Sequence, residues 1–78
     1  MNMITQALTQ AAARHWLAYR RGLRHVRGMS SIPTASLVRL AEHRAVAQSA
    51  VRILRTSGWR HRVAANRLFR QLVYSSRA

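Results

Sequence analysis

Glu42 is the only acidic residue in a chain of 78 residues that carries fourteen arginines and no lysine, for a formal net charge of +13. Internal salt bridges can neutralise almost none of that charge, and unpaired like charges on so small a body oppose compaction. A stable state must therefore borrow negative charge from outside. RNA phosphate is the densest source, anionic lipid the second and an acidic protein face the third. Guanidinium is planar, weakly hydrated and able to grip two phosphate oxygens together, so arginine suits contacts that become partly buried. Codon bias in a GC-rich gene accounts equally well for the missing lysine, and the physics is the same either way.

The same imbalance removes most enzymatic chemistries. One carboxylate cannot form the acid/base pair of a glycosidase. A Ser–His–acid relay would have only Glu42 to orient its histidine, and no Gly-x-Ser-x-Gly elbow is present. No glycine-rich phosphate loop occurs. Cysteine is absent, which excludes disulfides and thiolate zinc sites. His15, His25, His43 and His61 contain no pair at the i, i+4 spacing of helical metal ligands. His43 and His61 fall near apolar stripes, where a hydrogen-bonded histidine is the commoner outcome. No enzyme, cofactor, metal or small-molecule substrate is expected. A hydrophobic content of 49% argues against plain disorder, yet a chain this short buries only a marginal core.

Punctuation falls at two places, residues 28–34 (Gly-Met-Ser-Ser-Ile-Pro-Thr) and residues 56–58 (Thr-Ser-Gly). Three segments remain, and each has helical period. Over residues 4–27, Ile4, Leu8, Ala12, Trp16, Tyr19, Leu23 and Val26 gather on one arc, with Arg14, Arg20, Arg21, Arg24 and Arg27 opposite. Gly22 interrupts this helix at a cost of roughly 1 kcal/mol, and Gly28 reads as the residue just past its end. Over residues 35–55, Leu40, Val46, Ala47, Ala50, Val51, Ile53 and Leu54 form a broad apolar arc, while Arg44, Arg52 and Arg55 share another face with Gln48 between them. Thr34 or Ser31 can cap its start, and Gly58 is expected to end it. The frequent alanines permit close approach of a neighbouring helix. Over residues 59–74, His61, Ala65, Leu68 and Leu72 fall at helical spacing beside Phe69, and a frayed tail follows from Ser75. The chain is thus expected to be all-α: one unit of about three amphipathic helices, in a loose bundle or an extended arrangement laid on a larger assembly.

The first segment is acid-free, arginine-rich and amphipathic, and so resembles a mitochondrial targeting presequence. Arg27, shortly before Met29 and Ser30, suits matrix processing, and an uncleaved internal signal is the alternative. Within the same segment, Tyr19-Arg20-Arg21-Gly22-Leu23-Arg24 resembles the core of the LYR-motif family. Those small three-helix mitochondrial proteins serve as complex subunits or assembly factors. The family has Leu where Ala18 stands and an apolar residue where Gly22 stands. Leu68-Phe69-Arg70 gives a partial echo of the motif. No residue role transfers from so short a stretch.

Arginine faces are the candidate functional surfaces: Arg20, Arg21, Arg24 and Arg27 on the first helix, Arg52 and Arg55 closing the second, and Arg60, Arg62, Arg67 and Arg70 after Gly58. A charge run is ordinarily a solvated face, but the missing counter-charges favour polyanion contact here. Trp59, flanked by Arg60 and Arg62, is a candidate for stacking on RNA or on a partner. Leu8, Trp16, Tyr19, Leu23, Leu40, Leu54, Leu68 and Leu72 are the candidate protein-packing positions. Glu42 is expected to pair with a nearby arginine such as Arg39.

The leading expectation is a non-catalytic structural subunit of a mitochondrial ribosome. It would bind rRNA phosphates through arginine and neighbouring proteins through apolar stripes, in the matrix. An alternative is an accessory subunit of a respiratory-chain or ATP synthase complex at the matrix face of the inner membrane, contacting cardiolipin and acidic subunits. A third, from another class, is a free membrane-active or nucleic-acid-binding peptide.

Overall fold

A computed structural model describes residues 2–56 and 58–75, with the side chains of Trp59 and Arg60 excepted. Its elements are α1 (Met3–Arg27), α2 (Thr34–Arg55) and α3 (Trp59–Ser75), and no strand occurs among the described residues. The fold is all-α, with every helix boundary within one residue of the periodicity reading. Ser75 closes α3, and the rest of the tail expected to fray lies outside the described residues.

The helix ends differ from expectation in chemical detail. Asn2, extended at φ −80° and ψ 166°, caps α1: its Oδ1 accepts from the Thr5 N–H at 2.7 Å, satisfying one of the orphan donors of the first turn. Arg24, His25 and Arg27 occupy the last turn, where the negative pole of the helix dipole favours cations. Gly28 does end α1, but at φ −86° and ψ −1°, a right-handed geometry any residue adopts. At α2 neither Thr34 nor Ser31 caps. Pro33 holds the cap position and no side chain bonds the first turn; the Ser36 and Leu37 N–H groups donate to the Pro33 carbonyl instead. Thr34 becomes the first helical residue because proline's fixed φ already points the chain into the helix. Gly58 does not end α2 either. Thr56 does so, with its Oγ1 donating to the Ile53 carbonyl at 2.7 Å. Gly58 opens α3, its carbonyl accepting from the Arg62 N–H at 3.2 Å.

α1 is the hub. It packs along α2 and against α3, whereas α2 and α3 scarcely meet. His15 lies against His43 and Gly22 against Leu40, so residues rising along α1 meet residues falling along α2 and the pair is antiparallel. The seams are built of small side chains: Thr5, Thr9, Ala12, Ala13, Ala47, Ala50 and Ala65 are buried, with Val26 the one larger apolar residue among them. Small residues let helix axes approach closely. Thr9 is wholly buried, and its Oγ1 donates to the Thr5 carbonyl at 2.7 Å, so its hydroxyl goes in without an unpaired proton. Four members of the expected apolar arcs lie outside the core: Ile4, Trp16, Val46 and Ile53 are exposed at 73%, 37%, 41% and 53%. The contact lines follow the alanines and threonines, which a hydrophobicity stripe underweights.

The molecule measures 45 × 27 × 16 Å with a radius of gyration of 14.1 Å, against roughly 11–12 Å for a compact chain of this length. Its accessible surface of 6069 Å² exceeds the roughly 4,800 Å² typical of a compact monomer of this mass. A flat, loosely closed bundle leaves more of itself open to neighbours than an ordinary small domain does.

Candidate nucleic-acid interface

Because α2 and α3 diverge, α1 forms the floor of an open cleft between them. One chamber, of about 370 Å³, is floored by Thr9 and Ala12 and walled by Val51, Leu54 and Arg55 of α2 and by Arg62, Ala65, Asn66 and Phe69 of α3. A second, of about 440 Å³, adds Trp16, Ala47, Gln48 and Arg52 while sharing Ala12, Val51, Arg55 and Phe69, so the two are one furrow. A shallower groove of about 430 Å³ extends it along the α1–α2 seam, between Tyr19 and Leu23 on one side and Leu37, Leu40, Arg44 and Gln48 on the other. Gln48 belongs to both stretches.

Helical spacing explains the charged bank. Arg44, Gln48, Arg52 and Arg55 step by four, four and three residues, which keeps them on one edge of α2 over about 16 Å at the helical rise. All four are exposed. Trp16 and Tyr19 supply the aromatic side, with ring centroids 6.0 Å apart and planes tilted by 32°. Trp16 keeps 37% of its surface open. An arginine bank beside accessible rings is the combination that grips a phosphate backbone and offers π-faces to bases.

Of the arginines singled out from the sequence, Arg52, Arg55 and Arg62 come together around the cleft. Arg20, half-buried, and Arg21, Arg24 and Arg27, exposed, occupy the second half of α1; Arg67 and Arg70 are exposed on α3. None of these six lines the furrow. The side chains of Trp59 and Arg60 lie outside the described residues. Leu8, Tyr19, Leu23, Leu40, Leu54, Leu68 and Leu72 are half-buried, and Tyr19, Leu23, Leu40 and Leu54 wall the furrow. Glu42 is exposed and forms no ion pair among the described residues, so the pairing expected with Arg39 is not made. Arg39 instead borders a small pocket of about 130 Å³ with His25, Ser36 and His43. Arg44 joins the furrow although it was absent from the candidate set; its shared helix edge with Arg52 and Arg55 was the available signal.

A further pair was invisible to spacing. His15 Nδ1 and His43 Nδ1 stand 2.9 Å apart across the α1–α2 seam, with ring centroids 5.1 Å apart. Such a bond needs one ring protonated at Nδ1 and the other accepting there. The two histidines are 28 residues apart, so only the helical hairpin brings them together. No group of three or more His, Cys, Asp or Glu able to hold a metal occurs among the described residues, and no described helix is long and apolar enough to cross a membrane.

The chain matches no family model, no curated protein and no solved structure, and the short likeness to LYR-motif proteins gains no support from them.

Proposed function

We propose that the chain is a non-catalytic structural subunit of a ribonucleoprotein, in its fullest form a mitochondrial ribosome, binding rRNA phosphates through arginine and neighbouring proteins through its surplus apolar surface. The observation that carries this reading is the arginine bank of Arg44, Arg52 and Arg55, completed by Arg62 across the cleft, with no carboxylate among the residues lining it. An anion arriving there replaces like-charge repulsion with attraction and releases condensed counter-ions. The large accessible surface of so small a chain supports a subunit role, since obligate partners complete such a core. The mitochondrial address rests on the acid-free amphipathic α1. Cleavage before Ser30 would remove the helix on which both others pack, so the address fits an uncleaved signal.

Two measurements test the reading. RNA affinity of the purified chain should fall linearly on a log–log salt plot, with a slope of about 0.7 to 0.9 per phosphate contacted. Charge reversal at Arg52, Arg55, Arg60 and Arg62 should abolish incorporation of the tagged chain into a ribosomal particle. Affinity indifferent to salt refutes RNA binding through phosphates. Co-purification with cardiolipin and haem or flavin in place of rRNA points to a respiratory-complex subunit.

A further inference from the structure

The furrow has more than charge in it. Resting on the RNA-binding reading, we propose that it is a track for single-stranded RNA. In this arrangement an unpaired base enters the cleft between α2 and α3, stacks against Trp16 or Phe69, and has its flanking phosphates held by Arg52, Arg55 and Arg62.

Four observations lead there. The cleft has Ala12 and Thr9 at its floor, the Thr9 hydroxyl already bonded within α1, and is lined by two rings, Trp16 of α1 and Phe69 of α3; a double helix keeps its bases stacked inside and has no ring to offer such a slot. Its polar fittings are two amides, Gln48 and Asn66, one on each side. Both are exposed and neither is engaged by another described residue. An amide carries a donor and an acceptor together, matching the edge of a nucleobase, whereas an acyl chain would leave both without use. The lining cations, Arg52, Arg55 and Arg62, are exposed and stand on α2 and α3, not on the floor helix, so phosphates stay in solvent contact while the base goes in. The arginine bank continues toward Arg44 beside Tyr19, which lets neighbouring nucleotides follow the same edge.

The experiment uses the full-length chain carrying Trp59→Phe. Of the two tryptophans, Trp16 then remains as the only one, and its fluorescence reports stacking directly. Three probes of about 12 nucleotides are titrated at one salt concentration: an unpaired RNA, the same strand annealed to its complement, and the same strand with abasic positions. Unpaired RNA should quench Trp16 strongly and bind about tenfold tighter than the abasic strand, the scale of one stacked base. Adding Phe69→Leu should remove most of that preference while leaving the salt slope intact. Should Phe69→Leu lose its helical circular dichroism, the abasic comparison decides alone. Equal, salt-dependent affinity for all three probes without quenching overturns the track and leaves the phosphate-binding function standing. Failure of every RNA form to bind overturns both. Quenching by phosphatidylglycerol vesicles that also displace RNA assigns the cleft to lipid and overturns the track.

Discussion

The two helix pairs that could have closed this bundle were treated differently. Between α1 and α2 the surfaces are shaped to each other: Leu40 lies over Gly22, His43 is bonded to His15, and Ala47 and Ala50 are buried. Between α2 and α3 there is scarcely any contact, and arginines stand where packing residues would be. Small side chains and one glycine made the first pair close; across the second, exposed Arg55 of α2 and Arg62 of α3 line an open cleft. The hairpin seam thus holds the molecule together while the side between α2 and α3 stays open, and under the proposed function it is this open side that receives the RNA.

The severest way to break that contrast is to remove the hub. A chain starting at Ser30 should lose most of its helical circular dichroism in buffer, because α2 and α3 have almost nothing to pack on but α1. Persistence of full helicity would show that the open side closes by itself. Next comes Gly22→Val. A Cβ at Gly22 runs into Leu40 Cδ2, and a branched side chain cannot be cleared by a rotamer change alone, so a loss of about 2 kcal/mol is expected by denaturant titration. Gly22→Ala should be close to neutral, since about 1 kcal/mol of helix propensity offsets the displacement of a flexible Leu40 tip. His43→Ala should cost about 1 kcal/mol by leaving the half-buried His15 without its partner. The double variant with His15→Ala should cost less than the two singles added together. The smallest effect has the opposite sign. Replacing Arg52, Arg55 and Arg62 together by Gln should raise the melting temperature slightly at low salt, an advantage that vanishes as salt is added, while RNA affinity drops.

How much could be read beforehand follows the same division. Helix extents were legible because Gly28 to Thr34 and Thr56 to Gly58 interrupt three clear periods, and period and breakers act locally. The shared face of Arg44, Arg52 and Arg55 was legible for a related reason, their helical spacing, although only Arg52 and Arg55 stood out as functional candidates and the meeting with Arg62 needed the fold. What escaped depends on distant residues meeting. Thr5 and Thr9 resemble surface residues in the sequence yet are buried in the fold, where Thr9 bonds its own helix. His15 and His43 have no spacing to advertise them. Gly22, a defect on any propensity scale, is explained only by Leu40 on another helix. Ile4 and Ile53 show the converse, since apolar character placed them in a core that alanine and threonine occupy.

A seam of alanine has a thermodynamic corollary. Ala12, Ala13, Ala47, Ala50 and Ala65 have no rotamers to surrender when they are buried, so ordering these contacts costs backbone freedom and little else. For a polypeptide that electrostatics pushes apart, that frugality lets a thin interior suffice. The same feature leaves no slack: at each of these alanines every replacement but glycine adds bulk to the seam.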